Sequence, residues 1–422
     1  MKVLLVNPPI FDFTAYDFWL RPYGLSRVAG WMRHCCELSA FDFLVCSRRD
    51  EWGRGRLIGR HVPKPAPLRD IPRKFSRFGR PREEFCDFLK NRPFDSILIQ
   101  TVMTYWYPGV KEVIEDAREL QPSAKVVLGG VYSTLCPEHA ISLGADLVIK
   151  GSNLDPLWNL LSIKPARGMP YWDWTNGNAG AIKITEGCPF RCTYCSAPLL
   201  WPGFVPRPLE DCVAELEELI RMGMRNIAFY DDALLFKAEE VLVPFLESAI
   251  SSGHQLSFHT PNALNARFMN ENLARLMVRA GFKTFFFGLE NCDPSWQQST
   301  GGKLYAEEFA AAVRHLRAAG AGFIGTYIIV GHPDSKSRDS EESIRFAHQL
   351  GTRVILSEFS PVPGTVDGTK SQPWADMAEP LSHNKTAFTT RRLGPDCLNN
   401  LKALSRELNS RLQFGSAPAI FD

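Results

Sequence analysis

The chain lacks any hydrophobic run long enough to cross a membrane. Its apolar stretches are short, and none approaches the roughly 18 consecutive residues that a spanning helix needs. The opening MKVLLVNPP has only four consecutive apolar residues after Lys2, too few for the core of a secretory signal peptide. Both absences predict a cytoplasmic protein without a membrane partner.

An excess of one charge is missing as well. The 48 basic and 46 acidic residues leave a net charge of +2, which provides no electrostatic footprint for nucleic acid. Residues 48–81 are locally basic, and we expect them to form a solvated loop or insertion. Nucleic acid is therefore not an expected partner.

Cysteine is too sparse for a secreted disulfide scaffold. The total of 11 is odd, so at least one thiol is unpaired, and reduced thiols in a reducing compartment are the consistent interpretation. Eight of these cysteines are scattered, and we expect each to be a small buried hydrophobe. The eight are Cys35, Cys36, Cys46, Cys86, Cys136, Cys212, Cys292 and Cys397.

The first 160 residues alternate short apolar runs with helical patterns. This alternation predicts a doubly wound, Rossmann-like α/β domain built on a parallel sheet. Ligands of such sheets bind at the carboxyl ends of the strands, where Asn7-Pro8-Pro9, Thr101 and Gly129-Gly130 fall. The predicted strands are residues 3–6, 41–45, 96–100, 125–128 and 146–149.

A second alternating series follows a stretch rich in Pro, Gly and Trp. Six strand–helix units in a row require long crossovers, which predicts a partial (β/α)6 barrel whose working face is at the carboxyl ends of its strands. Its predicted strands are residues 181–185, 226–230, 255–259, 283–287, 323–329 and 353–359. The predicted organisation is a first domain at 1–162, a linker at 163–180, the barrel at 181–362 and a helical extension at 363–422.

The stretch GCPFRCTYC places Cys188, Cys192 and Cys195 on one loop. This loop follows the first strand of the second series, so it should lie on the working face. Structural zinc fits poorly, because it takes four ligands and no second CxxC occurs in the sequence. A cubane iron–sulfur cluster normally takes four thiolates, so three from one loop leave one iron open to another ligand.

The CxxxCxxC motif, with Tyr194 before its last cysteine and six strand–helix units around it, resembles the radical SAM superfamily. The resemblance implies that Cys188, Cys192 and Cys195 hold a [4Fe–4S] cluster whose open iron chelates S-adenosylmethionine (SAM). It also implies an external one-electron reductant of the flavodoxin or ferredoxin type. One electron from the reduced cluster would cleave SAM and yield a 5'-deoxyadenosyl radical.

The resemblance also implies SAM contacts at the strand ends. Where many members have a Gly-Gly-Glu type motif, this chain departs with Tyr230-Asp231-Asp232, and a helix cap or turn is the alternative. A surface salt bridge is the alternative for Glu290, and an ordinary turn is the alternative for Asn262. The implied SAM-binding residues are Tyr194, Asp231, Asp232, Asn262, Glu290, Gly325, Thr326 and Gly331.

A Rossmann-like domain ahead of the barrel resembles the cobalamin-dependent radical SAM subgroup. The matching stretches are VNPP, PYGLSRVAGWMR, the Gly129-Gly130 pair and DLVIKG. The chain departs from other cobalamin proteins because it has no DxHxxG, so cobalamin should bind without that histidine. It departs again at Gly151-Ser152-Asn153, where the subgroup has an acidic GEGE-like turn. The implied cobalamin-binding residues are Asn7, Pro8, Thr101, Tyr105, Gly129, Gly130 and Gly151.

Aromatic residues cluster between Thr101 and Tyr107, immediately after the third strand. Such a cluster could cover the lower face of a corrin ring, and ordinary packing is the alternative. The resemblance as a whole implies a monomeric class B radical SAM methyltransferase acting on a small molecule. A non-methylating reaction on the same scaffold (cyclisation, ring contraction or oxidation) and a non-catalytic iron–sulfur or corrinoid carrier remain alternatives.

Overall fold

The computed structural model describes residues 1–174 and 177–412, which form two compact units. The first unit contains the chain up to Gly177 together with Asp376–Asn384. The second contains Asn178–Ala375 and the described residues from Lys385 onward. Residues 175–176 of the predicted linker and 413–422 of the predicted extension lie outside the described residues.

A five-stranded parallel sheet forms the centre of the first unit. Its strands are β1 (Lys2–Asn7), β2 (Glu37–Asp42), β3 (Ser96–Thr101), β4 (Lys125–Gly130) and β5 (Leu147–Val148). They lie in the order β5-β4-β3-β1-β2, and every pair is parallel. Because chain order reverses beside β1, the sheet is doubly wound, which confirms the predicted fold class.

Helices cover both faces of this sheet, because alternate residues of each buried strand point to opposite sides. Val3 and Leu5 of β1 pack on one side, and Leu4 and Val6 pack on the other. Helices Tyr23–Met32 and Asp155–Leu161 cover the first side, and Arg82–Lys90, Tyr107–Leu120 and Pro137–Ser142 cover the second. A short helix, Val131–Leu135, follows β4.

The basic segment 48–81 is the insertion that its composition predicts, and side chains such as Arg56 and Arg60 are exposed, but it is not a loop. Its strands belong to two small antiparallel sheets. One consists of Tyr16–Asp17, Gly55–Leu57 and Cys46–Arg49, and the other consists of Ile10–Asp12, Ser76–Phe78 and Gly59–His61. Arg77 is buried and forms an ion pair of 2.7 Å with Glu112, and buried Arg54 pairs with Asp50 at 2.9 Å. The insertion was therefore predicted, whereas its strands and its two buried, paired arginines were not.

The second unit is a six-stranded parallel sheet in chain order. Its strands are β6 (Ala179–Ile182), β7 (Asn226–Phe229), β8 (Ser257–His259), β9 (Phe282–Glu290), β10 (Ile324–Val330) and β11 (Arg353–Glu358). Within the described residues β6 and β11 do not pair, so the barrel stays open. This arrangement confirms the partial (β/α)6 architecture.

Helices separate these strands and end where the chain needs a left-handed turn. Gly281, for example, has φ +101° and follows the last residue of helix Glu271–Ala280, so it is a C-terminal cap that favours glycine. The other helices of the unit are Ala197–Leu200, Leu209–Arg221, Leu242–Ser251, Pro294–Ser299, Ala306–Ala318, Ser337–Gln349, Val366–Lys370, Lys385–Leu393 and Pro395–Ser410. None of the described helices is both long and apolar enough to pass through a bilayer.

Candidate functional site

The cysteine loop lies directly beyond β6, at the carboxyl edge of the second unit's sheet. It begins with Gly187, whose φ is +70° and whose missing Cβ would lie 2.1 Å from the carbonyl oxygen of Gly203. Cys195 closes a turn by donating its backbone N–H to the carbonyl of Cys192 at 3.1 Å. Cys192 is buried, Cys188 and Cys195 are half-buried, and all three thiols are free. The predicted loop therefore stands at the predicted edge.

Burial raises the pKa of all three thiols, and that of Cys195 rises to about 11. Lys303 opposes this effect at each thiol, and the Tyr194 hydroxyl also opposes it by donating to the sulfur of Cys192. Within residues 1–174 and 177–412, no three His, Cys, Asp or Glu side chains are gathered around a single ion. A cubane differs from a single ion, because each thiolate binds a different iron, and its sulfur ligands lie further apart.

A buried ion pair lies beside the cysteine loop. Lys303 Nζ is 3.5 Å from Glu290 Oε1, and only 16% and 11% of the two side chains are exposed. Burial alone would lower the pKa of Lys303, but Glu290 and the thiols of Cys192 and Cys195 outweigh it and raise that pKa. The sequence reasoning named Glu290 and missed Lys303.

Gly288 makes room for this pair, and Gly301 lets the chain pass close to the cysteine loop. A Cβ on Gly288 would lie 2.3 Å from Glu290 Oε1 and 2.9 Å from Lys303 Nζ, so the pair occupies the space above that glycine. Gly301, with φ +117°, precedes Lys303 and lies against Cys192, whose Cα would be 3.3 Å from an added Cβ. Glu290 itself has φ +64°, an uncommon conformation for a non-glycine residue that is typical of functional sites. The Gly301-Gly302-Lys303 turn was the signal in the sequence that could have revealed the lysine.

Asp231 and Asp232 follow β7 but have different surroundings. Asp231 is buried, and its Oδ1 accepts bonds from the backbone N–H groups of Ile184 and Thr185 and from the Thr185 hydroxyl. Its Oδ2 has no hydrogen-bond partner among the described residues, and burial raises the pKa of the carboxyl to about 6. Asp232 is partly exposed and pairs with Lys183 at 3.2 Å.

Of the remaining residues from the SAM expectation, Asn262 lies at the same edge and Thr326 does not. Asn262 donates to the carbonyl of Tyr230 at 2.9 Å, which ties the loop after β8 to the loop after β7. The Thr326 hydroxyl is buried and donates to Thr352 at 2.8 Å. Because Tyr327 is the next residue and its hydroxyl reaches Pro261 beyond β8, the Thr326 side chain lies on the opposite face of β10. The structure therefore does not bring the Thr326 side chain to the cysteine loop.

The two glycines of β10 and its end are surrounded by packed side chains. A Cβ on Gly325 would lie 2.6 Å from the Phe286 ring, and one on Gly331, with φ +83°, would lie 2.8 Å from Thr389. Tyr194 stacks on Trp296 with ring centroids 5.9 Å apart, and its edge faces His332. Sequence reasoning missed Trp296 and His332, because neither belongs to a recognisable motif.

Hydroxyl groups and bare backbone characterise the corresponding edge of the first unit. Gly129 has no heavy atom closer than 4.0 Å to an added Cβ, whereas Gly130, with φ +120°, would place one 2.1 Å from the carbonyl oxygen of Thr101. Thr134 accepts from the backbone N–H of Gly151 at 2.9 Å and donates to the carbonyl of Gly130 at 2.7 Å. Gly129, Gly130 and Gly151 are thus brought together as an exposed cradle.

The other residues expected to bind cobalamin are mostly occupied by local contacts. Thr101 is buried and donates to the carbonyl of Gly129 at 3.1 Å, and Tyr105 is buried beside Trp106. Asn7 donates to Asp42 at 2.9 Å. Asn7 and Pro8 line a small cavity of about 20 Å³, which has room for about one water molecule.

Two family models match the chain. The B12 binding domain matches residues 73–161, and the radical SAM superfamily matches residues 182–347. An uncharacterized methyltransferase, PH0819, from Pyrococcus horikoshii is 27% identical over 50% of this chain and 44% of its own length. An anaerobic magnesium-protoporphyrin IX monomethyl ester cyclase from Cereibacter sphaeroides is 22% identical over 77% of this chain and 60% of its own. The matches span less than two thirds of these relatives.

The fold is similar over almost the whole chain to a solved structure of the radical SAM methyltransferase TsrM from Kitasatospora setae. The TM-score is 0.69 at 15% identity, with 99% of this chain and 92% of TsrM covered. The chain combines a B12-binding domain with a radical SAM domain, the domain pair of the cobalamin-dependent radical SAM enzymes. Its cofactors are accordingly a [4Fe–4S] cluster, SAM and cobalamin.

The residues at the two sheet edges fit these groups. Three free thiols on one loop, with a lysine to balance their negative charge, suit an iron–sulfur cluster. The exposed backbone at Gly129, Gly130 and Gly151 suits the approach of a cofactor without an intervening side chain.

Proposed function

We propose that this chain, a radical SAM protein with a B12-binding domain, is a cobalamin-dependent radical SAM methyltransferase that acts on a small molecule. The observation that carries the proposal is the cysteine loop at the carboxyl edge of the second sheet, beside the buried Glu290–Lys303 pair. The proposed reductant is a one-electron donor of the flavodoxin or ferredoxin type. When bound, the cofactors supply one electron, a 5'-deoxyadenosyl radical and a methyl group on cobalt.

The residues of the second unit bind and orient the cluster and SAM. Cys188, Cys192 and Cys195 would hold the cluster, and the loop offers no fourth thiolate, which would leave one iron open to SAM. The Lys303 ammonium balances charge next to the thiolates, and Glu290 provides a carboxylate for a cationic or hydroxyl-bearing group. Asp231 Oδ2 is a second buried acceptor with no bond of its own among the described residues.

The residues of the first unit give cobalamin access to the backbone at the edge of the sheet. Gly129 and Gly130 let a large cofactor approach the backbone, and Thr134 and Ser133 fix the surrounding turns through bonds to the carbonyl of Gly130. Met103 is 43% exposed beside Val102 at the end of β3, and we propose that it contacts the corrin in place of buried Tyr105.

Substitution of the first cluster cysteine is the direct test. Cys188→Ala, reconstituted anaerobically with iron and sulfide, should lose the cluster and form no 5'-deoxyadenosine after reduction with SAM present. Cys397→Ala is the matched control, because Cys397, which was expected to be buried, is a half-buried free thiol of helix Pro395–Ser410. A Cys188→Ala variant that still cleaved SAM as the control does would refute the proposal.

A non-methylating reaction is the second candidate, favoured by the likeness to the cyclase over 77% of this chain. SAM with an isotopically labelled methyl group distinguishes the two. Label that appears in the product supports methyl transfer, and an unlabelled product together with 5'-deoxyadenosine supports the alternative. A carrier without catalysis would give neither a product nor 5'-deoxyadenosine.

A further inference from the structure

A buried network lies behind the cysteine loop and includes a residue outside the matched radical SAM region. Asp367 belongs to the short helix Val366–Lys370, beyond residue 347, where the radical SAM match ends. His332 follows β10, and the side chains of both residues are 0% exposed. Burying an unpaired carboxylate lowers the stability of the fold, so the partners of Asp367 indicate which part of the structure it stabilises.

The hydrogen bonds fix the protonation of His332. Its Nδ1 accepts from the backbone N–H of Asp334 at 3.1 Å and faces the indole N–H of Trp296 at 3.3 Å. Since both of these groups are donors, Nδ1 carries no proton, and Nε2 donates to Asp367 Oδ2 at 2.9 Å. The imidazole is thereby held in one tautomer and one orientation.

The same carboxylate binds the cysteine loop. Asp367 Oδ2 accepts from the hydroxyl of Thr193, the residue immediately after Cys192. The backbone N–H of Asp367 donates to the carbonyl of Thr193 at 3.2 Å, and the backbone N–H of Thr193 donates to Thr300 at 3.2 Å. Thr193 is thus held at its N–H, its carbonyl and its side chain, between the second and third cysteines.

The helix that carries Asp367 is itself rigidly placed. Thr365 caps it by accepting from the backbone N–H of Gly368, and a Cβ on Gly368 would lie 2.0 Å from the carbonyl of Val362. Lys370 Nζ lies 3.2 Å from Asp367 Oδ1. Burial alone would raise the pKa of Asp367, but the bonds from His332 and Thr193 outweigh it and lower the pKa to about 2. Asp367 is therefore an ionised anchor.

We infer that His332 and Asp367 are positioning residues that hold the cysteine loop in its cluster-binding conformation before any cluster arrives. The segment around Asp367 then belongs to the radical SAM site, although it lies outside the matched region. This inference rests on the proposed function only for the identity of the group that the loop receives. The order of the loop itself can be measured in cluster-free protein.

The test compares Thr193→Val with Thr193→Ser, because valine matches threonine in shape and serine keeps the hydroxyl. Hydrogen–deuterium exchange of cluster-free protein should accelerate at least about tenfold in the peptide spanning the cysteine loop for Thr193→Val and Asp367→Asn. Thr193→Ser should stay near the wild-type rate, and helix Leu209–Arg221 should exchange alike in all variants. Equal rates for valine and serine, or equal acceleration in that helix, would overturn the inference.

Iron retention in loaded protein is the second measurement. Thr193→Val and Asp367→Asn should release iron to a chelator several times faster than wild type, and Thr193→Ser should not. Retention that is the same in all four proteins would contradict the inference. If wild-type protein takes up no cluster, the proposed function fails, while the exchange experiment still decides whether the network orders the loop.

Discussion

In both units the candidate site lies at the carboxyl edge of a parallel sheet, but the residues at the two edges differ in their chemistry. The second unit places thiols, a lysine and two buried carboxylates there, and Lys303 with Glu290 is the central pair. The first unit places glycines and hydroxyls there, with bare backbone at Gly129 and Gly130. At the charged edge, removing one charge should cause a large loss of stability or binding. At the glycine edge, binding should weaken in proportion to the atoms that are added to the glycines.

Removing the lysine is the change with the largest expected effect on this comparison. Lys303→Met leaves Glu290 buried without its cation, which should lower the free energy of unfolding by on the order of 3 kcal/mol. Urea denaturation of cluster-free protein measures this loss, and Lys303→Met/Glu290→Gln should recover most of it. In loaded protein the cluster's reduction potential should become more negative in Lys303→Met. No stability loss and an unchanged potential would remove the charge-based half of the comparison.

Distorting the glycine cradle tests the other half. Gly130→Ala combines φ +120° with a Cβ 2.1 Å from the carbonyl of Thr101, so the backbone of the cradle should shift and cobalamin affinity should fall at least about tenfold. Gly144→Ala is the matched control, because its φ is +94° but no atom lies within 4 Å of the added Cβ. Spectrophotometric titration with cobalamin compares them. Equal affinities for the two variants would mean that the backbone conformation of the cradle does not control binding.

The last comparison concerns a feature that the two units share. Each has a carboxyl at a strand end or just beyond it, half-buried Asp42 in the first unit and buried Asp231 in the second, and desolvation raises the pKa of each to about 6. The folded protein therefore binds these protons more tightly than the unfolded chain, whose carboxyls titrate near pH 3.9. Stability should fall as pH rises from about 4 to about 6, by on the order of 2 kcal/mol for each group.

Asparagine at either position should flatten this pH dependence, because the amide keeps an acceptor oxygen and carries no charge. Urea denaturation between pH 4.5 and pH 7.5 measures the slope for Asp42→Asn and Asp231→Asn against wild type. A slope that persists unchanged in both variants would show that neither carboxyl is responsible for it.

The sequence predicted those parts of the molecule that local pattern determines. Buried parallel strands have continuous apolar runs, so β1, β3 and β10 were found to within two residues at each end. The cysteine loop was found because its three cysteines lie close together in the chain. A short motif or a short apolar strand can therefore be recognised from residues that are neighbours in the sequence.

The parts that were missed depend on distant residues. Asp367 meets Thr193 across 174 positions, and no period or motif in the chain predicts that contact. Arg77 was assigned to a solvated segment, because its partner Glu112 lies 35 residues away and on another element. The expected strand at 181–185 is split, since Ala179–Ile182 joins the sheet and Thr185–Glu186 pairs instead with Val205–Pro206. Only the fold reveals such pairings.

Electron paramagnetic resonance of the reduced cluster, with and without SAM, tests the central claim most directly. The claim is that Cys188, Cys192 and Cys195 bind a [4Fe–4S] cluster and leave one iron for SAM. The account predicts a [4Fe–4S]⁺ signal whose g-values change when SAM is added, and no such signal in Cys188→Ala. A signal that SAM leaves unchanged, or one that survives in Cys188→Ala, would contradict it.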